Sequence, residues 1–182
     1  APREGVDILV GSTHKTFFGP QGGLILTNSD EVDARVEASL QYYVMDNPHW
    51  HRIAALTQAL AEAETFGKAY AQQVVRNAQA FARSLDEGGF PVRYPALGYT
   101  RSHQVLVDKG AVAKAVGLDY AAFTKRLEEA NLILDTDGRL GVQELTRWGM
   151  KEREMASVAE LLCRLLDWES PRSVGRNATE LK

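Results

Sequence analysis

A single cysteine, Cys163, is all the chain offers for thiol chemistry. No internal disulfide can close and no thiolate-rich zinc site can form, which suits a reducing cytosol. Charge of one sign is scarce too. Lys and Arg number 21 against 24 Asp and Glu, a formal net charge of −3, which speaks against non-specific nucleic-acid binding and against a polybasic membrane anchor. No apolar run approaches the roughly 18 residues of a membrane span, and no charged, apolar, small-residue leader follows Ala1. A start at Ala rather than Met suggests a trimmed or truncated chain. What is present is an ordinary globular mixture, 45% hydrophobic and 25% charged over 182 residues. That is too apolar for wholesale disorder and long enough for one substantial core or two small ones. The expectation is a soluble, cytoplasmic α/β protein that binds neither nucleic acid nor membrane.

Val6-Asp7-Ile8-Leu9-Val10 reads as a short strand ending at Gly11. Gly19-Pro20-Gln21-Gly22-Gly23 predicts a turn, because glycine supplies positive φ and proline presets its own. Leu24-Ile25-Leu26-Thr27 is then a second strand, antiparallel to the first, and Ser29 or Asp30 caps a helix. Over 53–85 the apolar residues Ile53, Leu56, Leu60, Ala63, Gly67, Tyr70, Val74, Phe81 and Leu85 recur at helical steps and predict one long amphipathic helix. A coiled coil is the bland alternative, and Ala63 and Gly67 make a poor seam for it.

Gly88-Gly89 ends the helix, and the texture changes. Val92-Arg93-Tyr94, Gln104-Val105-Leu106-Val107 and Leu132-Ile133-Leu134 read as strands. A helix capped by Asp119 runs over 119–130, and an amphipathic one over 151–167 through Met155, Val158, Leu162 and Leu165 or Leu166. Strands alternating with helices predict a small α/β layer. The polar end, 169–182, reads as a flexible tail; its Asn177-Ala178-Thr179 matches a glycosylation pattern that a cytosolic chain would not use.

The segment richest in chemistry is Gly11-Ser12-Thr13-His14-Lys15-Thr16. A P-loop is excluded, because His14 rather than glycine precedes Lys15 and only three residues separate Lys15 from Gly11. A lysine held after a strand among hydroxyl residues suits imine formation with an aldehyde cofactor, provided it is rigid and partly desolvated. The His14 imidazole can stack, hydrogen-bond or shuttle a proton, and Ser12, Thr13 and Thr16 can orient a ligand. Residue types alone leave a second reading open: a solvated lysine at a strand end beside a capping histidine. Elsewhere, His49-x-His51 near Asp46 has zinc-ligand types but no third close ligand, so turn residues ahead of a helix are expected and no metal site. Cys163 on the closing helix reads as a small core residue.

Ser12-Thr13-His14-Lys15-Thr16 followed by Gly19-Pro20-x-Gly22-Gly23 resembles the pyridoxal-phosphate lysine segment of the serine hydroxymethyltransferase family. The likeness continues through Pro48-x-x-His51-x-Ile53-Ala54-Ala55, Tyr70-x-x-Gln73-Val74-Val75-x-Asn77-Ala78 and Ser102-His103-x-x-Leu106-Val107-Asp108. It ends in Arg139-Leu140-Gly141 through Leu145-Thr146-x-x-Gly149-Met150. These ordered matches cover nearly the whole chain but only the family's C-terminal half.

The resemblance implies the C-terminal part of a pyridoxal-phosphate fold-type I transferase. Residues 1–64 would belong to the large cofactor domain, and 65–168 would form the linking helix and small α/β domain. Lys15 would be the Schiff-base lysine, His14 would sit beside the cofactor, and Ser12 would stand where a family threonine contacts it. Arg139 would bind the amino-acid carboxylate, since a guanidinium pairs with carboxylate in bidentate fashion. The implied reaction interconverts serine and glycine in a homodimer, contacting its partner through 41–51 and the long helix. Besides the upstream half that the match does not cover, three departures stand out within the matched span. Gln21 replaces an arginine common among relatives, and Asp46-Asn47 replaces paired glycines that hold the partner subunit's cofactor phosphate. The stretch 131–139 is shorter than the family's folate-contacting loop, which weighs against the implied tetrahydrofolate. Two alternatives follow: a folate-independent threonine-type aldolase or transaldolase, and a non-catalytic fragment or split subunit needing an N-terminal half.

Overall fold

The computed structural model describes residues 4–167; the tail 169–182, with its glycosylation pattern, lies outside the described residues. The protein is mixed α/β, as the sequence predicts, and divides into two compact units, Ala1–Lys68 and Ala69–Lys182.

In the first unit, β1 (Ile8–His14) and β2 (Phe18–Thr27) form a two-stranded antiparallel sheet. The antiparallel pair is as expected, but the reversal is not at the glycine-rich segment. Lys15, Thr16 and Phe17 make a three-residue loop between the partners His14 and Phe18, and Gly19-Pro20-Gln21-Gly22-Gly23 lies inside β2. The register explains the correction. Ser12 pairs with Gly23 and His14 with Phe18, so Thr13 alone faces the four residues from Gly19 to Gly22 in a bulge. Pro20 has no N–H to give a ladder and is tolerated there. A Cβ on Gly19 would stand 2.7 Å from the Thr13 carbonyl oxygen, so the close approach requires glycine.

Next come α1 (Asp30–Ser39), whose Ser29 Oγ accepts from the Val32 N–H at 3.3 Å, and a π turn over Leu40–Val44. The helix α2 (Trp50–Glu87) begins in this unit and ends in the other. Among the described residues of the first unit only Thr13 and Ala59 are buried, while Tyr42, Tyr43, Val44 and Trp50 are each more than 70% exposed. This unit has little core of its own.

The second unit contains the core. Val74, Ala78, Phe81, Ala82 and Leu85 from α2 pack in one buried cluster with residues of the elements below. The helix closes at Gly89, with φ +79°, and the Phe90 N–H reaches back to the Leu85 carbonyl at 2.8 Å, a Schellman-type end. β3 (Gln104–Leu106) pairs antiparallel with β4 (Arg139–Gly141). Helices α3 (Lys109–Val116), α4 (Tyr120–Glu128), α5 (Gln143–Arg147) and α6 (Glu152–Leu166) complete the unit. Asp119 caps α4 as expected, its Oδ1 accepting from the Ala122 N–H at 2.8 Å. The Lys151 N–H at the start of α6 donates to Glu154 at 2.9 Å, which together with the Glu154 backbone holds that carboxyl below its ordinary range.

Two strand readings are corrected. Val92 makes only an isolated bridge to Val107, because Tyr94 turns into the left-handed region at φ 63°. Leu132-Ile133-Leu134 is not a strand. Asn131 is left-handed at φ 60°, and the Leu132 N–H closes back on the Leu127 carbonyl, so this segment wraps the end of α4. The sequence reading also missed α3, a short helix with glycine in its first turn that Asp108 caps through the Ala111 N–H.

Tyr120 is buried in the core, and its hydroxyl has no hydrogen-bond partner among the described residues. Burial, reinforced by the Asp135 carboxylate, pushes its phenol up to about 12. The unfolded phenol ionises near 10, so this contribution to stability is complete below pH 10 and is lost as the pH rises through 12. Replacing Tyr120 by Phe removes an unsatisfied polar atom without breaking a hydrogen bond. The variant is expected to gain about 1 kcal/mol in urea unfolding at pH 7 and to show a shallower decline than the parent between pH 10 and 12, the raised phenols of Tyr70 and Tyr99 keeping part of it. A destabilised variant, or an unchanged alkaline slope, would contradict this.

Candidate active site

Strand alternation sorts the residues of β1. Thr13 turns inward at 2% exposure, while Ser12 and His14 occupy the opposite, exposed face. Two side-chain contacts lock the tip of the hairpin. Thr13 Oγ1 donates to the Pro20 carbonyl at 2.6 Å. His14 Nδ1 lies 3.2 Å from both the nitrogen and the oxygen of Gly22; it accepts from that N–H in one tautomer or donates to that carbonyl in the other. With Nδ1 so engaged, Nε2 is left for a ligand. Lys15 is the first loop residue and is exposed. The hairpin therefore supplies the rigidity that an imine-forming lysine needs, and the described residues do not supply the desolvation.

A cavity of about 590 Å³ adjoins the bulge, with Thr13, Gln21, Gly22, Asp46, Asn47 and Arg52 among its lining residues. Ser12, His14 and Lys15 are not among them. Two of the departures noted in the sequence, Gln21 and Asp46-Asn47, thus face the same space. The Asp46 carboxylate accepts from Asn47 Nδ2 at 3.0 Å. His49 and His51 have ring centroids 5.7 Å apart, and among the described residues no group of three His, Cys, Asp or Glu is placed to hold a metal ion.

Arg139 stands at the start of β4 in the second unit, beside a second cavity of about 520 Å³. Its guanidinium is already engaged: Nε lies 3.0 Å from Asp135 Oδ2 and Nη2 lies 2.9 Å from Asp137 Oδ2. The sequence reading singled out Arg139 and missed both carboxylates, although Asp135-x-Asp137-x-Arg139 places them at steps of two and four residues.

The donor set fits an aldehyde cofactor at the hairpin tip: a primary amine, an imidazole with one nitrogen anchored, and the Ser12 hydroxyl on the same face as the imidazole. Lys15, His14 and Ser12 are the residues that would hold it. Among the described residues no helix is long and apolar enough to cross a membrane.

The family profile described as serine hydroxymethyltransferase matches residues 1–162. The chain is 43% identical to the serine hydroxymethyltransferase of Methanocaldococcus jannaschii over 98% of its own length and 45% of that relative's. The corresponding protein of Korarchaeum cryptofilum gives 43% identity over 98% and 44%. Among solved structures, the L-threonine transaldolase of Pseudomonas fluorescens superposes with a TM-score of 0.80 at 32% identity, over 97% of this chain and 42% of that one. The chain thus spans a little under half the length of the relatives it matches, and its architecture is that of part of a fold-type I transferase. A profile match over most of the chain, together with identities above 40% along the same span, shows that the chain belongs to the serine hydroxymethyltransferase family.

Proposed function

We propose that this chain contributes the lysine segment and the small domain of a pyridoxal-phosphate enzyme that interconverts serine and glycine by cleaving and forming the Cα–Cβ bond. In this reading 1–64 belongs to the cofactor domain and 65–168 to the linking helix and small domain. When bound, pyridoxal phosphate supplies a sink for the electron pair released at Cα. Lys15 would hold the cofactor through its amine, from a loop braced by the Thr13 and His14 contacts. His14, anchored at Gly22, keeps Nε2 for hydrogen bonding or proton transfer, and Ser12, on the same strand face as His14, would contact the cofactor. Arg139 binds the substrate carboxylate and so orients the breaking bond.

The observation that carries this reading is the hairpin tip: the family's lysine segment forms a loop that leaves the Lys15 amine exposed and the neighbouring imidazole tethered. The test is covalent. Borohydride treatment of the pyridoxal-phosphate-loaded protein, followed by peptide mapping, is expected to place the reduced cofactor on Lys15; attachment at another lysine overturns the assignment.

The exposure of Tyr42, Tyr43, Val44 and Trp50 supports a homodimer contact through 41–51. The exposure of Lys15 supports a site completed by further chain or by a second copy. On this reading the residues described here alone do not form a whole catalyst.

A second reading, a folate-independent aldolase or transaldolase acting on threonine-like substrates, is favoured by the transaldolase structural neighbour and by the short stretch 131–139. Turnover of serine that depends on added tetrahydrofolate supports the first reading. Threonine cleavage that is indifferent to it supports the second.

A further inference from the structure

The loop ahead of β4 treats its two carboxylates differently. Asp135 is tied down: Oδ1 accepts from the backbone N–H groups of Asp137 at 3.1 Å and Arg139 at 3.0 Å, while Oδ2 faces Arg139 Nε at 3.0 Å. Asp137 makes one such contact, with Arg139 Nη2 at 2.9 Å, and its side chain is 66% exposed against 37% for Asp135. Gly138, between Asp137 and Arg139, has φ +77°, and a Cβ there would stand 2.9 Å from Lys109 Cγ. The backbone is therefore confined, and the Asp137 side chain is the loose part.

Nε and Nη2 share one edge of the guanidinium, so two carboxylates stand on that edge while the Nη1/Nη2 end is left over. Two negative charges against one positive repel a third carboxylate unless one of them moves away.

We propose that Asp135 is the positioning residue of Arg139 and that Asp137 is a displaceable carboxylate competing with the amino-acid substrate's own carboxylate for the guanidinium. The proposal rests on the reading of Arg139 as substrate anchor. Asp137, held by an exposed ion pair, is released at little cost. Asp135, held by two backbone amides, stays and keeps the guanidinium aimed. Changing Asp135 to Asn preserves the amide-accepting oxygen and sets an NH₂ donor against Nε–H, which breaks the orientation but not the turn.

The test uses protein of the length its gene encodes, loaded with pyridoxal phosphate. Glycine affinity is measured by calorimetry, and KM and kcat by steady-state kinetics. Asp137→Asn is expected to tighten glycine and lower KM about threefold with kcat unchanged. Asp135→Asn is expected to weaken both about tenfold, again in KM rather than kcat. Arg139→Ala is expected to weaken binding more than either. Unchanged or weaker glycine binding in Asp137→Asn overturns the competition, and this variant alone decides it should Asp135→Asn fail to fold. Unaltered affinity in Arg139→Ala sinks the anchor reading itself. A weakened Arg139→Ala beside two silent aspartate variants sinks only the present proposal.

Discussion

Replacing Lys15 by alanine is expected to abolish the long-wavelength absorbance of bound pyridoxal phosphate, to leave no cofactor attached after borohydride, and to reduce turnover to background. The fold should survive the change. Lys15 is exposed on a three-residue loop, and the structure gives its amine no hydrogen bond or ion pair among the described residues. The hairpin is held by its ladder, by Thr13 on the Pro20 carbonyl and by His14 on Gly22, none of which involves position 15. Lys15→Arg is the sharper control, since it keeps a cation but cannot form an imine under the same conditions. It should lose the absorbance as completely as the alanine variant. Retained absorbance in Lys15→Ala, with an unchanged circular dichroism spectrum, would remove the lysine assignment and the enzyme reading with it.

The largest effect on stability is expected at Asn77. This side chain is fully buried in the second unit and uses both ends of its amide. Nδ2 donates to Thr146 Oγ1 at 2.8 Å and to the Met150 carbonyl at 2.9 Å, and Oδ1 accepts from Gln73 Nε2 at 2.8 Å. Thr146 Oγ1 in turn donates a hydrogen bond to the Val142 carbonyl at 2.7 Å, and Gln73 Nε2 also donates to Glu152 at 3.0 Å. One asparagine on α2 therefore ties down α5 and the turn into α6, just beyond the strand that carries Arg139.

Truncation to alanine deprives the buried Thr146 hydroxyl and the half-buried Met150 carbonyl of their Asn77 donor and leaves a small cavity. The cost is about 3 kcal/mol, well above that of an ordinary surface change. It should appear as a lower urea midpoint with an unchanged slope. Gln73→Ala, which removes a half-buried partner, should cost less than about 1 kcal/mol. An Asn77→Ala variant that loses no more than Gln73→Ala would show that the network carries little of the stability.

Much of this architecture was legible because it depends on local pattern. The steps of three and four residues over 53–85 gave α2, Asp119 gave the start of α4, and Gly88-Gly89 gave the end of the long helix. Errors arose where long-range pairing overrode local propensity. The glycine-rich segment has every mark of a turn, yet it became a bulged strand because its partner Thr13 needs those carbonyls and that close approach. Leu132-Ile133-Leu134 has strand composition, but the left-handed Asn131 ends α4 and directs the chain elsewhere.

The same division runs through the candidate site. Sequence alone determined the chemistry on offer, an amine beside an imidazole and a separate guanidinium, because residue identity and order are all that a motif needs. Only the tertiary structure decided how those groups are held. Lys15 sits in the loop itself, His14 is tethered through Nδ1, and Arg139 already faces two carboxylates. Each of these follows from distances across paired strands or within a folded loop, and no linear spacing encodes them.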